Sequence, residues 1–308
     1  MSSPVALVNS ETDTTSLFNS IAKALQLLDF DTKRKVNTVV IKPNLCYYWE
    51  ASSGCTTDPR LVGALIDCLR ETYGKNITIK VAEADATAMK TRHVFPVLGY
   101  DRLAREKNVE LLNLSEDVLK NEKVTVNNQD FEFEIPESLK KADLFINVPK
   151  LKTMRVTKIT CAMKNIFGCI ATPRKFAYHP HLEEAIVGMN KILKPHLTIV
   201  DGLVALGRSP IKLNLIIGGS DAFSTDWIVA QIAGHNPRRI RFLRIAMKEG
   251  LGDPKRIVTV GDSITLYKKD FPKDSLIPQK LLWKVEFGLL KFYKRVTGDI
   301  IPPFLEEE

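Results

Sequence analysis

The sequence predicts an α/β fold: a mixed, largely parallel sheet flanked by helices, with a C-terminal amphipathic helix. Three observations carry that expectation. Strand-like apolar runs alternate with helix-like runs along most of the chain, as in a parallel sheet with crossover helices. One segment, around Asn127-Asn128, reads instead as an antiparallel hairpin, which makes the sheet mixed. A late segment, 281–296, places Leu282, Val285, Leu289, Phe292 and Val296 on one stripe opposite Lys284, Gly288, Lys291 and Arg295.

The elements follow in order. Residues 17–29 carry apolar side chains at helical spacing, and 36–45 read as a buried strand that turns at Pro43. Residues 58–74 form a helix with an acidic start and a glycine stop, and 76–85 the next strand. The runs LGYDRLAREKN and VELLNLSED repeat helix, then strand. Residues 123–136 are the hairpin, 141–152 one strand, and KITCAMKNIFGC a helix that ends near Gly168. Residues 196–207 and 213–234 supply a further strand and a strand–helix pair, with Asp226 at the start of that helix.

The 308 residues divide into one α/β domain, 1–275, and a helical extension, 276–308. With 44% apolar and 26% charged residues the composition is that of an ordinary globular chain. The N-terminus reads as lacking a signal peptide, and no apolar run reaches the roughly 18 residues of a membrane span. Five cysteines without C-x-x-C spacing exclude a disulfide framework, a zinc knuckle and a conventional cluster motif, and point to a reducing cytoplasm. The net charge of +8 permits a nucleic-acid or membrane partner, though many basic proteins have neither. Without an aromatic-rich strand or recognisable module, nucleic acid is the weakest of the options.

Ligands of open α/β sheets bind beyond the carboxyl ends of the strands. The residues expected there are Lys42-Pro43-Asn44, Glu83, Asp85, Lys150, Lys152, Asp201-Gly202 and Gly218 to Asp221, all polar strand ends that suggest one converging site. From Leu144 to Leu182 there is no Asp or Glu, yet the stretch holds Lys150, Lys152, Arg155, Lys158, Lys164, Arg174 and Lys175, with His179 and His181. A solvated surface usually mixes signs. The competing explanation is a basic surface with snorkelling lysines; the sharper one is an anionic ligand, phosphate or carboxylate.

The ordered motifs VVIKPNL, TTDPRLV, NVPKLKT, MKNIFG, HPH, LTIVDGL with GRSP, and GGSDAFSTDWIVAQIAG resemble the family called domain of unknown function 362, over about residues 36–236. Members often carry an added ferredoxin module and an iron–sulfur label; this chain lacks the module, so the label does not transfer. The resemblance implies a shared site of Lys42, Asn44, Lys150, Lys152, Lys164, Asn165, His179 or His181, Asp201 and Asp221, and implies no reaction. The GRSP ending departs from the more usual Gly-Pro.

The expected function is that of an enzyme acting on an anionic small molecule. Lys150, Lys164, His179 and Asp201 are the catalytic candidates; Lys42, Asn44, Lys152, Asn165, His181 and Asp221 are the ligand-binding ones. Asp201 and Asp221 would orient a lysine or hold a metal ion; metal and cofactor stay open. The alternatives are an accessory redox or iron–sulfur-related protein using Cys161, Cys169 and the two histidines, and a nucleic-acid binder. A homo-oligomer or a redox partner is also left open, and the apolar stripe of 281–296 is expected to pack on the domain or on a second subunit, with membrane-surface binding as the alternative.

Overall fold

The computed structural model describes residues 2–46, 48–268 and 271. The amphipathic segment 281–296, with the rest of the 276–308 extension, lies outside them.

The strands are β1 (Ser3–Asn9), β2 (Thr38–Pro43), β3 (Thr78–Glu83), β4 (Glu110–Asn113), β5 (Leu119–Val126), β6 (Gln129–Pro136), β7 (Leu144–Val148), β8 (Lys150–Met154), β9 (Lys158–Thr160), β10 (Leu197–Leu206), β11 (Pro210–Gly219) and β12 (Ile257–Gly261). The helices are α1 (Thr14–Leu27), α2 (Pro59–Tyr73), α3 (Thr91–Val97), α4 (Tyr100–Lys107), α5 (Glu137–Lys141), α6 (Ala162–Phe167), α7 (Leu182–Ile192), α8 (Ala222–Ile232), α9 (Arg241–Lys248) and α10 (Ile264–Lys268).

The sheet runs β12-β1-β11-β10-β7-β2-β3-β4, with β8 and β9 attached beside β10. From β10 to β4 the neighbours are parallel; β11 is antiparallel to both β10 and β1. The sheet is mixed and largely parallel, as expected, but for another reason than the hairpin. β5 and β6 form a separate two-stranded sheet. Their turn is Asn127-Asn128, both in the left-handed region at φ 50° and 63°, which matches the twist of the flanking strands. The mixing comes from β11 and from the short β8–β9 pair.

Period-two alternation places each strand between two apolar layers. Val5 and Leu7 of β1 join the core beneath α6 to α9, whereas Ala6 and Val8 join the core beneath α1 and α2. Covering both faces is what a parallel sheet requires. β1 and β12 were not legible as strands, although VALV of β1 is wholly buried.

Three local features correct the sequence reading and set up the site. The run 141–152 is not one strand: Pro149 lacks an N–H and ends β7, and the chain resumes beside β10 as β8. Asp201 lies inside β10 rather than after it, next to a bulge between Gly202 and Val204. A Cβ at Gly202 would come within 2.7 Å of the Leu215 carbonyl oxygen, so the bulge needs glycine. The run KITCAMKNIFGC opens as β9, and α6 begins only at Ala162.

What fixes the start of α6 is Asp226. This buried carboxylate accepts the N–H groups of Ala162 at 2.7 Å and Met163 at 3.0 Å. It does not begin α8; Asp221 does, accepting the Ser224 N–H at 2.6 Å. Burial pushes the Asp226 carboxyl up to about 7, against the pull of those two N–H groups. An acid held above its unfolded value near 4 adds stability below that value, and the gain is lost as pH rises through about 7. Comparing the melting temperatures of wild type and Asp226→Asn across this window should show the variant gaining on wild type as pH rises. A constant difference would mean that Asp226 stays charged throughout.

Candidate functional site

The carboxyl edge of the parallel strands gathers five lysines. Lys42 ends β2 and Glu83 ends the adjacent β3, and the Lys42 Nζ lies 2.6 Å from Glu83 Oε1. Glu83 also accepts the N–H groups of Leu45 at 2.9 Å and Ala84 at 3.0 Å. Lys42 donates to the Pro43 carbonyl at 2.7 Å. Both side chains are almost wholly buried.

Asn44, one residue beyond β2, joins two elements. Its amide donates to Asn165 Oδ1 on α6 at 3.0 Å, and its Oδ1 accepts from Lys152 Nζ on β8 at 2.7 Å. Asn165 in turn donates to Asn147 Oδ1 at 2.8 Å and to the Lys42 carbonyl at 3.2 Å. Lys152 Nζ also donates to the Cys55 carbonyl at 2.7 Å and sits 3.1 Å from Cys46 Sγ. The lysine is 6% exposed; Cys46 is half-buried.

Lys150 and Asp201 form a second buried pair at 2.9 Å, with side chains 1% and 0% exposed. The Asp201 carboxylate also accepts the N–H of Asp58 at 2.8 Å and of Leu203 at 3.1 Å. It therefore ties β8 to the start of α2. Removing one partner of such a pair leaves a buried charge, at a cost of about 3–5 kcal/mol. Lys150 also reaches the wall of an open cleft of about 590 Å³ lined by Thr56, Thr57, Asp58, Arg60 and Arg102.

The remaining lysines differ from these two. Lys164 on α6 is half-buried and places Nζ 2.9 Å from Met154 Sδ, a weak acceptor. Burial first, and then the Lys152 charge, push its ammonium down to about 8. Lys175 is buried in the 3-10 turn Lys175–His181 and donates to the Asp85 carbonyl. Its ammonium also falls to about 8, mainly through burial, with Glu83 opposing and Lys42 adding. Among the described residues, Lys152, Lys164 and Lys175 form no ion pair. Glu83 and Asp201 are the carboxylates paired within the cluster, and Asp58 binds Arg60 at 2.6 Å.

His179 is half-buried, its ring 4.8 Å from that of Phe176. Burial and then the Lys164 charge push its imidazole down to about 4, so it is neutral at physiological pH. His181 is exposed just before α7.

Thus Lys42, Asn44, Lys150, Lys152, Lys164, Asn165, His179 and Asp201 fall in one region at one edge of the sheet. Asp221 does not. Because β11 runs antiparallel to β10, its end at Gly219 pairs with Thr198 at the start of β10, on the opposite edge. The expectation assumed every strand end faced the same way. Asp221 caps α8 and lines a separate cavity of about 220 Å³ with Met163, Asn190 and Lys194.

Cys46, Lys175 and Asn147 were missed as site residues. Cys46 had a signal, lying two residues past Asn44 in the same extended segment; Lys175 had only its place in the carboxylate-free stretch. That stretch is not a solvated basic face, since Lys150, Lys152 and Lys175 are buried. Cys161 and Cys169 are buried too. Burial holds the Cys161 thiol well above its ordinary range and pushes that of Cys169 up to about 12, making both poor thiolates. Among the described residues, no group of three or more His, Cys, Asp or Glu is arranged to hold a metal ion. No helix among them is long and apolar enough to cross a membrane.

A thylakoid-associated protein of Synechocystis sp. is 24% identical over 285 residues, which span 87% of this chain and 84% of that protein. Among solved structures, the lactate racemase apoprotein from Thermoanaerobacterium thermosaccharolyticum aligns over 74% of this chain with a TM-score of 0.48 and 15% identity; the chain spans 56% of that protein's length. Residues 39–231, more than half of the chain and the whole of the lysine cluster, match the sequence model described as Domain of unknown function (DUF362), and the chain belongs to that family.

Proposed function

We propose that the chain is an enzyme that binds an anionic small molecule, a carboxylate or a phosphate, against Lys152 and Lys164. The observation that carries this reading is the charge excess: three buried or half-buried lysines form no ion pair among the described residues. A desolvated ammonium either finds a counter-charge or gives up its proton. Lys152 is held by Asn44 and Cys55 in one orientation, so its charge is fixed before a ligand arrives. Lys164 and His179 are the candidates for proton transfer, one near its midpoint at pH 8 and the other neutral. Lys42 with Glu83 and Lys150 with Asp201 are proposed to position the cradle, because each lysine is already paired. Asn44 and Asn165 would link its two sides. The proposed setting is a reducing cytoplasm, consistent with five free cysteines.

A thermal-shift series with oxalate, phosphate and pyrophosphate at matched ionic strength tests the reading. At a hundred times its Kd, one bound anion adds about 2.7 kcal/mol to stability. Lys152→Met should weaken the best anion at least about tenfold, the loss expected of one charge-assisted hydrogen bond. If no anion stabilises the wild type beyond chloride, the cradle is not an anion site.

The same reading sets the sign of a stability change. Lys164 is folded with a lowered pKa, so its charge opposes folding at neutral pH, and this penalty fades as pH climbs from about 8 towards the unfolded value. Lys164→Met should raise the melting temperature at pH 7 while reducing anion binding, and its advantage should shrink above pH 8. A lower melting temperature at pH 7 would show that Lys164 has a stabilising partner.

A further inference from the structure

Among the described lysines at the sheet edge, Lys164 alone is half-buried with only a weak acceptor beside its amine. Lys42 and Lys150 are 1% exposed and ion-paired; Lys175 is buried and engaged by the Asp85 carbonyl. Lys152 donates to two oxygens. Lys164 is half-buried and donates to the Met154 thioether, a weak acceptor that does not engage the amine lone pair. β8 places Lys152 and Met154 two residues apart, on the same face of the strand, so the Lys164 amine over Met154 stands beside the fixed Lys152 charge.

A second cation beside a desolvated lysine is the arrangement that turns an amine into a nucleophile. Lys152 supplies the fixed charge for the anion, and Lys164, set over Met154 beside it, gives up its proton more readily than a free lysine. As an attacking group it is well suited.

We propose that Lys164 forms an imine with the carbonyl carbon of a 2-oxo acid whose carboxylate is held by Lys152. The step balances without any further reactant. The Nζ lone pair attacks the carbonyl carbon, and the carbonyl oxygen takes a proton to give a carbinolamine. That oxygen then leaves as water as the C=N bond forms. The proton that the nitrogen gives up goes to the departing oxygen. The proposal rests on the anion-binding reading and narrows its ligand to a carbonyl-bearing carboxylate.

The test traps the imine by reduction. Full-length protein is incubated at pH 8 with pyruvate or 2-oxoglutarate and sodium borohydride, and the adduct is located by peptide mass mapping. Oxalate thermal shifts are measured in parallel on the same proteins. The adduct should fall on Lys164 in wild type and be absent at that position in Lys164→Arg, which keeps a charge but not the nucleophile. Lys152→Met should lower its yield at least about tenfold. Adducts spread over exposed lysines, or equal yields in Lys152→Met, would overturn the imine. Stabilisation by oxalate without trapping on Lys164 would also overturn it while leaving the anion site standing. Failure of oxalate and both 2-oxo acids to stabilise or label the wild type would remove both.

Discussion

The site depends on one constraint: among the described residues, the carboxyl edge of this sheet buries more ammonium groups than carboxylates. Two of the five lysines are offset by Glu83 and Asp201. A buried ion costs several kcal/mol in desolvation, and only partners within hydrogen-bond reach return it. Lys152 recovers part of that cost from the Asn44 and Cys55 oxygens, which are dipoles and not charges. Lys164 and Lys175 respond by becoming weaker bases. On the proposed reading a bound anion balances this excess, at some cost in the stability of the free protein.

The backbone is shaped to maintain that excess. Pro149 ends β7 so that β8 can pass beside β10, which brings Lys150 to Asp201 and Lys152 to Asn44. The Gly202 bulge lets β10 follow. From beneath, Asp226 accepts the first two N–H groups of α6 and so sets where the next two residues, Lys164 and Asn165, stand. Each device is a break in regular structure that rigid neighbours over-determine, and such breaks cluster at sites.

Much of this was legible in the sequence, for reasons that are themselves physical. The alternation of apolar runs has a period that only an α/β arrangement buries on both faces, and the Asn127-Asn128 turn follows from the left-handed tolerance of asparagine. The carboxylate-free stretch marked Lys150, Lys152 and Lys164 because charge balance is local. Strand direction was not legible. β11 reads as any other apolar strand, so nothing in its residues says that Asp221 emerges on the far edge. Nor could local pattern place β1 and β12, whose pairing is decided by long-range contacts, or bring Lys175 to the Asp85 carbonyl beyond β3. The C-terminal extension of 276–308 lies outside the described residues.

Proton linkage tests the central claim most directly. If an anion supplies the missing counter-charge, it must raise the affinity of Lys164 and Lys175 for protons when it binds. Calorimetric titration of oxalate at pH 8, repeated in buffers of different ionisation enthalpy, reads the protons exchanged. The account predicts net uptake in wild type and a smaller uptake in Lys164→Met. Binding with no proton exchange, or with release, would contradict it.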